Sequence, residues 1–149
     1  MYKLILIVLI FLNNEDKKNN LLQVGIQFTS GVLAGSLFTY SLFKIFPIQS
    51  IDRDVAKIDA EQMIFNVTVG LTLGSYFGVI ISGKIMKSNG NNSKAFLGSF
   101  LGFLAGAGAF AYLSETFKGR TYENISFVPL FIFPSFGATV GYNFKNFKK

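Results

Sequence analysis

Four long stretches of the chain are apolar and contain no charged residue, and short polar segments separate them. The stretches are 21–43, 63–83, 95–113 and 125–143. A transmembrane helix needs about 20 mostly apolar residues, and a charged side chain in mid-membrane is costly. A water-soluble helical bundle would show a charged face on each helix, and none of the stretches has one. The pattern therefore predicts four membrane-spanning helices.

Two segments inside these stretches alternate between apolar and small or polar residues, which is the pattern of a β-strand. They are 65–73 (FNVTVGLTL) and 136–144 (FGATVGYNF). Such segments are typical of a small outer-membrane β-barrel, and a chain of 149 residues suits eight strands. The continuous apolar runs 95–113 and 125–133 favour helices instead. We therefore expect helices and keep the barrel as an alternative.

Ten of the 15 glycines recur at four-residue spacing within the apolar stretches. Four residues turn an α-helix by about 400°, so each set lies along one face. Lipid does not drive helices together, whereas small residues allow the close backbone contact that does. The spacing predicts an all-α polytopic membrane protein, a bundle of four transmembrane helices packed through GxxxG (glycine-zipper) faces within one chain, between chains, or both. The predicted helix-packing residues are Gly31, Gly35, Gly70, Gly74, Gly78, Gly98, Gly102, Gly106, Gly137 and Gly141.

Neutral polar residues accompany the glycines of the first two stretches. If one glycine face lined a pore or a lipid groove, polar contacts would come from Gln23, Gln27, Asn66, Thr68 and Thr72. The simpler interpretation is that the glycine faces only hold the bundle together. No stretch contains Asp, Glu, Lys or Arg, which excludes a charged relay and weighs against ion-coupled transport.

The composition removes several classes of chemistry. Without Cys or His the chain has no thiolate nucleophile, no disulfide, no Ser-His-Asp triad and no histidine-ligated zinc. Acidic residues cluster only in the first connection, where a solvated, surface-lying segment is a simpler interpretation than an enzyme acting on lipid; they are Asp52, Asp54, Asp59 and Glu61. We predict no catalytic residue, no cofactor and no metal site. We also predict no nucleic-acid partner, because the lysines occur in twos and threes and form no basic stripe.

The basic residues predict the orientation. With four spans, both tails and the second connection share one side, which holds nine Lys against two acids, and the other side holds five basic residues against six acids. The positive-inside rule then places both termini in the cytoplasm of an inner membrane. Residues 1–20 form a tail whose short apolar run also suits a signal peptide, 21–144 form one transmembrane domain, and 145–149 form a basic tail. A cleaved leader would remove the orientation argument and leave an outer-membrane location open.

Two local signals refine the helix ends. Pro129 and Pro134 lie within the fourth stretch and predict a helix that is kinked, or broken and re-entrant. Ser93 ends a polar turn before the third stretch and is a candidate N-cap.

Three segments together suggest a family: 69–83 (VGLTLGSYFGVIISG), 94–108 (KAFLGSFLGFLAGAG) and 133–144 (FPSFGATVGYNF). They resemble small bacterial envelope proteins of unassigned function that have glycine-zipper spans and a C-terminal Pro-x-x-Gly-Ala-x-x-Gly-Tyr-Asn signature. The resemblance covers about residues 65–144. It implies an envelope location, and often a signal peptide, but no activity.

From these observations we expect a non-enzymatic integral membrane protein of the bacterial envelope. Its expected role is structural, or that of an accessory component of a membrane assembly. Its expected partners are membrane lipid and either a second copy of the chain or another membrane protein. The alternative within the helical interpretation is an oligomeric pore or channel for small solutes.

Overall fold

A computed structural model describes residues 15–47, 56–116 and 126–144, and these residues form four α-helices. The helices are α1 (Glu15–Ile45), α2 (Ala56–Ile85), α3 (Asn92–Thr116) and α4 (Val128–Asn143). The all-α prediction is confirmed for the described residues.

The barrel alternative is wrong, because no described residue lies in a strand. The alternating segment 65–73 lies within α2, and the segment 136–144 lies in α4 and the turn after it. Small residues at every fourth position satisfy a period of two and also mark one face of a helix. Alternation built on such residues therefore does not distinguish a strand from a glycine-faced helix.

Three of the helices are long and apolar enough to cross a membrane, over Asn20–Ile45, Glu61–Ile85 and Asn92–Thr116. These three segments contain the first three predicted stretches and indicate a membrane location. The fourth stretch forms a shorter helix of 16 residues. At a rise of 1.5 Å per residue it is about 24 Å long, which is less than the hydrocarbon core of about 30 Å.

Several sequence predictions lie partly or wholly outside the described residues. The signal-like run before residue 15, the acidic positions Asp52 and Asp54, and the basic tail 145–149 are among them. The predicted domain boundary at residues 20 and 21 falls inside α1, which begins at Glu15. Polar residues continue a helix in water as readily as apolar ones, so the end of an apolar stretch is not the end of the helix.

α1 and α2 form an antiparallel hairpin with close backbone contact. A Cβ added at Gly70 would meet Thr39, and one added at Gly78 would meet the carbonyl of Ser30. Residue numbers therefore fall along α1 as they rise along α2.

α3 and α4 form a second antiparallel hairpin. A Cβ added at Gly98 would meet the carbonyl oxygen of Gly137, and one added at Gly106 would lie 2.7 Å from the carbonyl oxygen of Pro129. Only glycine allows the two backbones to approach this closely.

The two hairpins meet through α2 and α4, which lie between α1 and α3. Ser75 lies beside Ser135, and Gly83 lies beside Tyr142, so α2 and α4 run parallel. α2 and α4 therefore supply most of the interior, and α1 and α3 are the outer helices.

The interior of the bundle is small and polar, and its outside is large and apolar. The buried apolar side chains form two small clusters, one around Val79 and Ala138 and the other around Leu71 and Phe103. Many large apolar side chains are instead more than half exposed, among them Leu33, Leu37, Ile64, Leu101 and Phe136. This distribution is the reverse of that in a water-soluble bundle.

Two predictions about helix ends change. The prolines predict that the fourth stretch is kinked, or broken and re-entrant; the break is wrong, because α4 continues through Pro134, and the kink stays a prediction. Pro129 lies in the first turn, where a missing N–H costs nothing. The N-cap of α3 is Asn91 and not Ser93, because the Asn91 Oδ1 accepts a 2.9 Å hydrogen bond from the backbone N–H of Lys94. Ser93 lies inside the helix.

Candidate functional site: a buried polar column

Neutral polar side chains from all four helices lie along the interior of the bundle. We call the set the polar column; each member is at most 5% exposed, and none carries a charge. Its members are Gln27, Asn66, Thr72, Ser75, Ser99, Ser135, Thr139 and Asn143.

Serine hydroxyls join helices at the middle of the column. The Ser75 and Ser135 Oγ atoms lie 2.9 Å apart and share a hydrogen bond between α2 and α4. The Ser99 hydroxyl of α3 donates a 2.8 Å bond to the carbonyl of Thr72 in α2. Hydrogen bonds between helices inside a membrane contribute about 0.6 kcal/mol on average, so these contacts add to the packing of the hairpins.

An amide pair joins α1 to α4 at one end of the column. The Asn143 Nδ2 donates to the Oε1 of Gln27, and also donates a 2.9 Å bond to the carbonyl of Thr139. The α4 carbonyl thus orients the Asn143 amide, which in turn orients the side chain of Gln27.

A second amide closes the opposite end of the column. The Asn66 Nδ2 of α2 donates a 3.2 Å bond to the carbonyl of Phe46, the residue after α1. The last carbonyls of a helix have no partner within it, so Asn66 acts as a cap that one helix supplies to its neighbour.

Three buried polar atoms of the column have no hydrogen-bond partner among the described residues: Gln27 Nε2, Asn66 Oδ1 and Thr72 Oγ1. All three belong to the α1–α2 hairpin. Leaving such a group unpaired costs about 1–3 kcal/mol, so these atoms are the least satisfied part of the interior.

The five predicted lining residues divide into two groups. Gln27, Asn66 and Thr72 belong to the polar column, whereas Gln23 and Thr68 are only half-buried. The column lies inside one chain, and each of its members is buried. The sequence analysis did not identify the remaining members, because a serine or threonine beside a glycine face looks like another small packing residue. They are Ser75, Ser99, Ser135, Thr139 and Asn143.

The ten predicted packing glycines all lie where another helix comes close. At each of them an added Cβ would come within 3.2 Å of an atom of another helix. Two other helical glycines, Gly25 and Gly108, have nothing within 4 Å of that position. The ten glycines are thus taken up by contacts inside the chain, and these two face outward.

The end of α4 also holds the turn between α2 and α3. The Tyr142 hydroxyl donates a 3.0 Å bond to the carbonyl of Ser88, and the Tyr142 carbonyl accepts a 2.9 Å bond from the N–H of Asn91. A Cβ added at Gly83 or at Gly90 would clash with the Tyr142 ring. The Gly-Tyr-Asn segment therefore joins α4 to α1 through Asn143 and to the turn through Tyr142.

No family model, curated protein or solved structure matches this chain. Within the described residues, no three acidic side chains come together in a group that could hold a metal ion. The interior formed by the described residues carries neutral hydrogen-bond donors and acceptors.

Proposed function

We propose that the protein is a non-enzymatic integral membrane protein of the bacterial envelope with a structural role, as a compact unit or accessory component of a membrane assembly. The observation that carries the proposal is the reversed interior. Small and polar groups face one another inside the chain, and large apolar side chains face outward. Such a surface suits lipid or the apolar face of another membrane protein.

Glycine contacts and hydrogen bonds hold the four helices together in this proposal. Lipid tails are as apolar as leucine, so close backbone packing and polar contacts between helices supply the stability. The described contacts are of that kind: glycine against backbone within each hairpin, and hydroxyl or amide bonds between the hairpins.

We propose that α4 completes the bundle as a fourth, short span, with both termini in the cytoplasm. Thinning of the bilayer accommodates a short span at modest cost. The end of the bundle that holds the α2–α3 turn carries Lys84, Lys87 and Lys94, which supports the cytoplasmic side for that end.

Glycine substitutions test the packing proposal. Gly98→Leu places a side chain against the backbone of Gly137, and we expect a loss of at least about 2 kcal/mol in the free energy of unfolding. Gly108→Leu in the same helix is the matched control and has open space for the new side chain. Stability is measured by thermal unfolding in detergent, followed by circular dichroism. Equal stability of the two variants would contradict the proposal.

Crosslinking of the purified protein separates packing within the chain from packing between chains. Because the ten glycines meet other helices of the same chain, Gly98→Leu should destabilise the monomer itself. A variant that keeps a stable monomer and loses only a crosslinked oligomer would assign the glycine faces to contacts between chains.

A pore for small solutes is the second candidate, and the three unpaired polar atoms of the column favour it. A pore requires that small solutes cross the membrane of proteoliposomes that contain the protein. Gly74→Leu directs a side chain at the backbone of Ala34 and should abolish this flux. Gly25→Leu, at an outward glycine, is the control. The structural role predicts that wild-type proteoliposomes pass small polar solutes no faster than protein-free vesicles.

A further inference from the structure

We propose that the polar column is an internal water-binding site, in which the three unpaired atoms, Gln27 Nε2, Asn66 Oδ1 and Thr72 Oγ1, each bind a water molecule. The atoms are buried and have no partner among the described residues. The inference rests on the chemistry of these atoms and holds whether the protein is structural or a pore.

Gln27 gives the strongest case. Its side chain is fully buried, and its Oε1 is taken by the Asn143 amide, so the Nε2 remains with two N–H donors. Turning the Gln27 amide over would bring its NH2 group against that of Asn143. The Thr139 carbonyl holds the Asn143 amide in place, so no flip of Gln27 removes the unpaired group.

Each of the three residues makes, through another of its atoms, a hydrogen bond to a different part of the chain. Gln27 is bonded to Asn143. Asn66 holds the Phe46 carbonyl, and the Thr72 main chain holds the Ser99 hydroxyl. A buried water makes two to four hydrogen bonds, and the bonded group at each position is a candidate for the second of them.

The chemistry of the column selects water over an ion. No member of the column is charged, and burying an unpaired ion in an apolar interior is far more costly than burying a water. The Gln27 N–H groups repel a cation, the Asn66 carbonyl oxygen repels an anion, and the Thr72 hydroxyl can donate or accept. Water both donates and accepts, so one ligand fits all three positions.

Water-edited solid-state NMR of the wild-type protein in bilayers tests the proposal directly. The chain has four glutamines, Gln23, Gln27, Gln49 and Gln62, so labelling glutamine with ¹⁵N gives four side-chain amide signals. The signal lost in Gln27→Leu identifies Gln27. We expect magnetisation from water to reach the Gln27 amide as early as it reaches half-buried Gln23. If water magnetisation reaches the Gln27 amide only as late as it reaches the buried Leu71 methyl groups, the proposal at Gln27 is overturned.

A matched pair of substitutions tests the Thr72 position. Thr72→Val removes the unpaired hydroxyl and keeps the side-chain shape, and Thr39→Val removes a buried hydroxyl that already bonds to the Gly35 carbonyl. If Thr72 binds water, Thr72→Val lowers the unfolding temperature at least as much as Thr39→Val, by about 2–4 °C. An unfolding temperature above that of the wild type would mean that the hydroxyl is dry, and would overturn the proposal at Thr72.

Discussion

Buried hydroxyl groups among the described residues make hydrogen bonds in two ways, which determine what each residue does for the fold; Thr72 is the exception and makes neither kind. Thr39 and Thr139 donate to the carbonyl four residues earlier in their own helix. Ser75 and Ser99 reach a neighbouring helix instead. Only the second kind of bond connects elements, although all four residues are small, polar and buried.

A double-mutant cycle on Ser75→Ala and Ser135→Ala should measure this difference. We expect a coupling energy of about 0.6 kcal/mol, the average for such bonds between membrane helices. Unfolding in mixed detergent micelles provides the free energies. Ser41→Ala is the control, because the exposed Ser41 hydroxyl bonds only to its own helix, and it should show no coupling with Ser135→Ala. A coupling of zero for the first pair would remove its role in joining α2 to α4.

Tyr142 is the residue whose loss should most affect the α2–α3 turn. Tyr142→Phe keeps the ring and removes the bond to the Ser88 carbonyl, so we expect a loss of about 1 kcal/mol in unfolding free energy. Tyr112→Phe, at a side chain that is 69% exposed, should have no effect. Hydrogen exchange of the turn amides is the measurement, and unchanged protection in Tyr142→Phe would contradict this role.

At the scale of the elements, the start of α3 depends on a contact that is distant in sequence. The segment 88–93 reads SNGNNS and offers several residues that could cap a helix. The Asn91 N–H bonds to the carbonyl of Tyr142 in α4, which positions the Asn91 side chain over the first turn of α3. The tertiary contact thus selects one cap among several equivalent candidates.

Substitutions at the two candidate caps should therefore differ. Asn91→Ala removes the bond to the Lys94 N–H and should cost about 1 kcal/mol, whereas Ser93→Ala should be nearly neutral. Thermal unfolding of both variants in the same detergent gives the comparison. A larger loss for Ser93→Ala would restore Ser93 as the cap.

At the scale of the whole molecule, two glycine-faced hairpins meet along a polar interior and present an apolar surface. α2 and α4 occupy the middle, although α4 is the shortest helix described. A short helix can lie at the centre because its glycines allow α3 to pack directly on its backbone, and its polar residues bond to α1 and α2.

Cysteine labelling should establish the orientation of the molecule. The chain has no cysteine, so Ser93→Cys and Ser114→Cys each introduce a single thiol at an exposed position near opposite ends of α3. In intact cells we expect an impermeant maleimide to label Ser114→Cys, and Ser93→Cys only after lysis, because the proposed orientation places the lysine-rich end in the cytoplasm. Labelling of both positions in intact cells, or the reverse pattern, would contradict the proposed orientation.

Much of the architecture follows from the sequence by itself. Charge-free stretches long enough to cross a membrane are a local property, because the cost of a charge in lipid applies to each residue separately. Three such stretches form long apolar helices. The four-residue glycine spacing predicted which face of each helix carries the glycines, because the turn per residue is the same throughout an α-helix. The same locality explains why the break predicted at Pro134 is wrong, since sequence spacing does not show whether neighbouring helices support a proline within α4.

The tertiary structure alone decided which faces meet and which polar atoms find partners. The pairing of Gln27 with Asn143, or of Ser75 with Ser135, joins residues far apart in the chain. A hydroxyl or amide group can in principle bond to many donors or acceptors, and the register between helices selects among them. The sequence thus determined the helices and the apolar stretches that indicate a membrane location, because those depend on local burial costs. The polar column and its three unpaired atoms depend on how four helices align, which no local pattern contains.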